Sequence, residues 1–386
     1  MVKSNPMDLP TQRLIDQSIA PMFQGSIRSR NHLGVAIAVI TPDQTFLFNQ
    51  GCVSHITELP PNHRTLFELG SLSRLFTTTL LAALVQERMV NLQDSVCNLL
   101  PEFSQLAPEI TLLRLATHTA GLPNVSESFY QLLFRDAHNP YLTDTLDNLY
   151  CYFAHYEADH RRLGHVCYSN LGLGLLGHVL ARMLGLSYEQ AIVDYICEPL
   201  GMVDTRIVTT VEQQQRSAQG YRANSQPVTE TNLTASISFG SFHSTSQDLS
   251  KFLKASLEQP ITPLSQAMSL CQQTHVALGG AKRLGVGLGW FVNHLDYDTG
   301  RAAVHWQTGA AAGHQAYLGL INDLHLGVAV LANYERGWQD TLFRRPNVET
   351  IGLNLLKTLA NAQQKKAKRV IRTTSSVSSY SRIHSD

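Results

Sequence analysis

The chain has 386 residues, 44% hydrophobic and 16% charged, which is enough apolar material for one large domain or two interleaved ones. Thirty Lys and Arg balance thirty Asp and Glu, so no charge excess directs the protein to nucleic acid or to an anionic membrane. The six cysteines (Cys52, Cys97, Cys151, Cys167, Cys197, Cys271) are scattered without a C-x-x-C pair and read as buried free thiols, since a chain this long needs no disulfide framework.

The opening MVKSNPMDLPTQRLIDQSIA lacks the charged start, apolar run and small-residue cleavage site of a secretory signal. A cytoplasmic protein is therefore expected, with a periplasmic or secreted one as the alternative if a leader is missing. An amphipathic helix is expected over about 10–24. In GVAIAVITPDQTFLFNQG (34–51), two runs rich in Val, Ile and Phe flank Thr41-Pro42-Asp43, the signature of a β-hairpin. Next comes FELGSLSRLFTTTLLAALV (67–85), where Leu72, Phe76, Leu80 and Ala83 recur at helical spacing.

From there to about 235 the pattern is helical with frequent loops. Its most apolar window, LGLGLLGHVLARMLGLS (171–187), is too short to span a bilayer and is interrupted by His178 and Arg182, so it reads as a buried helix. GVGLGW (285–290) is glycine-rich, but no Lys-Ser/Thr or helix start follows, which argues against a phosphate loop. Three antiparallel strands are expected in 302–333, with turns at 310–313 and 322–324, followed by a helix over 347–362. The end, QQKKAKRVIRTTSSVSSYSRIHSD, is basic and then Ser-rich, and a disordered tail is expected over 363–386.

Strands at both ends and helices between them imply an α+β fold, an α/β sandwich with one antiparallel sheet built from both chain ends and flanked by helices. The expected domain runs over 10–358: a sheet part at about 10–85 and 236–358, and a mostly helical insert at about 86–235. The cleft would lie between the two.

Ser71 stands at a helix start, where free N–H groups and the helix dipole favour developing negative charge, and Arg74 shares its face one turn on. Taken alone, this stretch reads more simply as an N-cap serine. Two further motifs change the reading. CYSNLGLGLLGHVL carries Y-x-N at Tyr168 and Asn170, and HWQTGAAAGH carries Gln307, Thr308 and Gly309.

Together, in this order, the three resemble S-x-x-K, Y-x-N and K-T-G or H-T-G of the serine β-lactamase and penicillin-binding-protein superfamily, in its class C β-lactamase, D-aminopeptidase and esterase branch. The segments MVNLQDSVCNLLPEF, ITLLRLATHTAGLP, EPLGMVDTRI, STSQDLSKFL and GVGLGW also resemble that branch, in which the last reads as a strand entering the sheet. The likeness covers about residues 15–358.

The resemblance implies a β-lactamase/transpeptidase-like fold and an acyl-enzyme on Ser71. It places the oxyanion hole at the backbone N–H groups of Ser71 and Ala310, a proton-relaying phenol at Tyr168, and substrate contacts at Asn170, Gln307, Thr308 and Gly309. The implied partner is a small-molecule or peptide substrate. No nucleic acid, membrane span, cofactor or metal is expected, since no His/Cys/Asp/Glu cluster has ligand spacing.

Two positions depart from the pattern. Arg74 replaces the lysine of the first motif; a guanidinium has no lone pair, so it serves as cation and donor rather than base, drawing Tyr168 toward phenolate. Gln307 replaces a cationic residue and would hold a substrate carboxylate more weakly. His305, two residues before Gln307, and His314, after the following turn, are candidate auxiliary bases, the alternative being histidines packed in the sheet. His118, in THTAGLP, reads as structural. Two functions follow: a serine hydrolase acting on a small ester, amide or β-lactam with weak β-lactamase activity, or a catalytically impaired relative that binds a peptide, glycan or lactone.

Overall fold

A computed structural model describes residues 33–126, 146–156, 160–228, 242–258, 261–279, 283–298, 300–311, 313–337 and 347–380, with positions 13 and 17 besides. The helix expected over 10–24 lies largely outside the described residues.

The hairpin appears as β1 (Gly34–Ile40) and β2 (Thr45–Gly51), turned through a Thr41 N–H bond to the Gln44 carbonyl. β3 (Phe67–Glu68) pairs with β4 (His243–Ser244) in a separate two-stranded ribbon. Six more strands follow: β5 (Val276–Ala277), β6 (Arg283–Val286), β7 (Phe291–Tyr297), β8 (Gly300–Ala311), β9 (His314–Ile321) and β10 (Leu326–Ala332). They join the hairpin in one antiparallel sheet of order β2-β1-β10-β9-β8-β7-β6-β5. The first strand is therefore sewn to the last, with Val35 opposite Ala332 and Ile40 opposite Gly327. GVGLGW is only partly strand: β6 ends at Val286, and the chain turns through Gly289 (φ +75°) before β7 begins.

The central strands are buried on both faces, and their alternation sorts side chains into two cores. Val35, Ile37 and Val39 enter one apolar cluster, with Val328, Val330 and Tyr317, while Ala36, Ala38 and Ile40 enter the other, with Ala329, Leu331 and Leu318. Helix α1 (Arg74–Gln86) lies in the larger core, buried from Arg74 to Leu84 on every side rather than along one stripe. Its threonines satisfy their hydroxyls within and beyond the helix: Thr79 donates to the Leu75 carbonyl at 2.6 Å, and Thr77 meets the Tyr188 hydroxyl at 2.6 Å.

Helix α2 (Asn170–Leu184) is the buried apolar segment noted in the sequence. It is N-capped by Ser169, whose hydroxyl accepts from Gly172 N–H at 2.9 Å, and it stops at Gly185 in the left-handed conformation (φ +67°). Among the described residues no single helix is long and apolar enough to cross a membrane. Helices α3 (Ser246–Ser256) and α4 (Pro263–Gln272) complete the larger core, α3 on β1 and β10 and α4 on α1. Helix α5 (Val348–Tyr380) covers the opposite face of β7, β9 and β10.

Helix α5 continues well into the stretch expected to be disordered from 363. Gln, Lys, Ala and Arg dominate 363–369, with neither Gly nor Pro, so intrinsic propensity carries the helix on where tertiary packing gives no reason to stop it. Residues 381–386 lie outside the described ones. All six cysteines are free.

Candidate active site

Ser71 sits in a single 3-10 turn, Gly70–Ser73, that leads directly into α1. This turn lies flat against β8. A Cβ on Gly309 would stand 1.9 Å from the Leu69 carbonyl oxygen and 2.6 Å from Leu72 N, and one on Gly70 would meet the Ala310 carbonyl oxygen at 2.3 Å. Gly70 also takes φ +51°, so both glycines are demanded by close backbone approach and one by conformation as well. That contact sets the backbone of Ser71 beside Ala310, the pair expected to form the oxyanion hole.

The second motif comes from the start of α2. Tyr168 precedes the cap residue and Asn170 is the first helical residue, so both leave the helix end toward Ser71. The loop 117–124 clamps this segment. Ser169 N–H donates to His118 Nδ1 at 3.2 Å, Cys167 N–H to the His118 carbonyl at 2.8 Å, the Ser169 hydroxyl to the Pro123 carbonyl at 2.6 Å, and Leu171 N–H to the Asn124 carbonyl at 3.0 Å. The His118 ring lies 4.9 Å from that of Tyr168, and burial holds its pKa down at about 3, so it is a neutral support.

The Tyr168 hydroxyl stands 3.1 Å from Ser71 Oγ and 3.1 Å from Asn170 Oδ1. Arg74 Nη2 donates to the same phenolic oxygen, and to Asn170 Oδ1 at 3.2 Å. The Arg74 guanidinium carbon lies 4.4 Å from the centre of the Tyr168 ring. Arg74 is only 6% exposed, and its Nε and Nη1 have no hydrogen-bond partner among the described residues. Burial lowers its pKa to about 9, which leaves it cationic at neutral pH, and no carboxylate contributes to the shift. The serine, arginine, tyrosine and asparagine thus meet in one hydrogen-bonded group.

Gln307 is brought to the same place, yet its amide is turned into the sheet. Nε2 donates to the Gly289 carbonyl at 2.7 Å, and Oε1 accepts from Thr308 N–H at 2.9 Å. It lines the cavity as a wall, and the expected bond to a substrate carboxylate has no ready donor there. The two auxiliary histidines do not reach the cavity. His305 shares the face of Gln307, as alternation required, but it stands farther along the strand against the backbone of Gln272, with its pKa lowered by burial. His314 packs edge-on to Phe67 at 6.1 Å, and burial takes its pKa to about 3. Both are core histidines.

The cavity itself, about 340 Å³, is bounded by Ser71, Tyr168, Thr308, the Phe291 and Trp306 rings and the first residues of α5. A larger one, about 820 Å³, opens at the far end of α1 between Glu87, Tyr195, Leu200 and Lys251. No described serine, cysteine or histidine lines that space, so its size carries no hydrolytic constellation. Among the described residues, no three His, Cys, Asp or Glu gather as a metal site.

A family model described as Beta-lactamase matches residues 12–351. The chain belongs to the beta-lactamase family. Among relatives of that name, one from Providencia stuartii is 31% identical over 219 residues, 56% of this chain and only 53% of its own length. The D-alanyl-D-alanine-carboxypeptidase/endopeptidase AmpH of Escherichia coli (strain K12) is 26% identical over 333 residues, 82% of this chain and 83% of its own. A crystal structure of a class C beta lactamase from Rhodobacter sphaeroides superposes with a TM-score of 0.73 at 23% identity, covering 89% of this chain and 99% of the other. Members of the beta-lactamase family and the AmpH type are serine hydrolases, and the mixed helix and antiparallel-sheet fold is theirs. Glu349, which lines the cavity from the first turn of α5, was missed in the sequence: nothing local to NVETIGLN marks it as a cavity residue.

Proposed function

We propose that this beta-lactamase family chain is a working serine hydrolase that cleaves a small ester or amide, with β-lactams as poor substrates. One observation carries the reading: the buried Arg74 cation has no carboxylate partner among the described residues, and it donates to the phenolic oxygen that faces Ser71 Oγ as well as to the neutral Asn170 amide. A buried charge needs a counter-charge, and the Tyr168 phenolate supplies one. The anionic oxygen is then a base within hydrogen-bond reach of the nucleophile.

The steps balance around that one proton. Tyr168 takes the Ser71 Oγ proton as Oγ bonds to the substrate carbonyl carbon, and the carbonyl electrons move onto oxygen toward the Ser71 and Ala310 N–H groups. Collapse expels the leaving group, which receives the proton from Tyr168, and the acyl-enzyme remains. Water repeats the sequence: Tyr168 removes its proton, hydroxide adds to the ester carbon, and Ser71 leaves with the proton returned. Arg74 stays protonated throughout.

A fluorophosphonate probe tests the nucleophile. Labelling should vanish in Ser71→Ala and slow about 10²- to 10⁴-fold in Tyr168→Phe, the usual worth of a positioned base. Equal labelling of Tyr168→Phe and the parent protein refutes the phenolate. The internal bonding of Gln307 favours a second reading, an impaired relative that binds a ligand in the same cavity. No labelling of the parent between pH 6 and 9 decides for it.

A further inference from the structure

The wall opposite the nucleophile has a composition that a carboxylate-bearing substrate would not meet favourably. Phe291 and Trp306 are paired across β7 and β8, with rings 5.3 Å apart at 35°, and both line the cavity that holds Ser71. Glu349 enters the same cavity from α5. Among the described residues its carboxylate makes no hydrogen bond or ion pair. Arg336 acts on it only from beyond ion-pair distance, and burial raises its pKa, the mark of a carboxylate short of compensation. Asn347 beside it has its side-chain Oδ1 committed to the Thr350 N–H and hydroxyl, at 2.8 and 2.7 Å. No described Lys, Arg or His lines the cavity. Arg74, behind Tyr168, is engaged with Tyr168 and Asn170.

From this arrangement we propose that the cavity selects substrates carrying a protonated amine, with the ammonium held by the Glu349 carboxylate against the Phe291 and Trp306 rings. A cation gains from an aromatic face and from a half-buried carboxylate together, and each contribution grows as water is excluded. An anionic substrate meets Glu349 and the Tyr168 oxygen as like charges. Glu349 also sits in the first turn of α5, where any acid is favoured by the helix dipole. That accounts for an acid at the position, but not for its sharing a cavity with two aromatic walls and a nucleophile. The proposal names the substrate class of the hydrolase reading above, and so rests on it for turnover but not for binding.

Two arms keep the two readings separable. In calorimetry with the Ser71→Ala protein, benzylammonium should bind at least tenfold tighter than phenylacetate. Adding Glu349→Gln should erase that preference, and adding Phe291→Leu should weaken benzylammonium severalfold with the charge unchanged. In the intact protein, glycine p-nitroanilide should be hydrolysed with kcat/KM at least tenfold above its N-succinyl form, and Glu349→Gln should reduce the ratio through KM. Equal or tighter binding of phenylacetate, or an unchanged preference in a Glu349→Gln protein of normal unfolding midpoint, overturns the proposal. Ammonium binding with neither anilide hydrolysis nor fluorophosphonate labelling of the intact protein upholds the subsite while rejecting the hydrolase.

Discussion

An arginine one turn after Ser71 changes which atom can serve as base in the proposed reaction. Lysine at this position would offer a lone pair, whereas Arg74 offers only charge and N–H groups, so the proposed hydrolase draws its base from the Tyr168 oxygen that Arg74 touches. Restoring cationic amines at both divergent positions, Arg74→Lys with Gln307→Lys, should raise β-lactam hydrolysis. An unchanged rate in that double variant counts against the assigned geometry. His118 acts one step back, as a positioning residue. It stacks on the Tyr168 ring and accepts from the Ser169 N–H. His118→Leu should slow fluorophosphonate labelling about tenfold or more, because a misplaced base loses much of its effect. His118→Asn, which keeps a side-chain acceptor, should recover part of the rate; equal loss in both would reduce the histidine to core filling.

At the level of elements, the site is the junction of a 3-10 turn, a strand and a helix cap, and the two glycines between turn and strand are its tightest joint. Gly309→Ala would push a methyl group into the Leu69 carbonyl. It should destabilise the protein by about 2–4 kcal/mol and abolish labelling, read as a lowered denaturant midpoint. A neutral midpoint would show that the turn is free to move off β8. The hairpin, the three C-terminal strands and the buried helix α2 were legible because turn residues, alternation and apolar runs are local signals. Alternation also put His305 on the face of Gln307, but a strand's period gives the face and not how far along it the cavity reaches. The bond from Gln307 to the Gly289 carbonyl was hidden for a related reason: it depends on the β6–β7 turn folding over a strand eighteen residues later. The three-motif pattern located Ser71, Tyr168 and Asn170, whereas Glu349 lay outside any motif.

Across the whole molecule, the buried neutral histidines set an acid limit on stability. His118, His243 and His314 have folded pKa values lowered by burial to about 3, 4 and 3. The unfolded chain therefore binds more protons than the folded one below the ordinary histidine value, so stability is full above that value and is lost as pH falls toward 4. Each group contributes a loss of about 2 kcal/mol by pH 5, from roughly 1.4 kcal/mol per unit of pKa difference. Urea midpoints should drop steeply between pH 7.5 and 5, and less steeply in His314→Phe. A flat midpoint over that range would mean that these rings are hydrated in the folded protein.

The pairing of β1 with β10 also governs how the molecule comes into being. Val35 must wait for Ala332, 297 residues later in the chain, before its backbone finds a permanent neighbour on that side. At ribosomal speed this is a delay of roughly 15–60 s, during which a wholly apolar strand has β2 as its one hydrogen-bonded strand neighbour. A nascent chain of this design cannot close its sheet until β10 has left the ribosome, so its yield in a cell should depend on holdase chaperones far more than the stability of the finished fold would indicate.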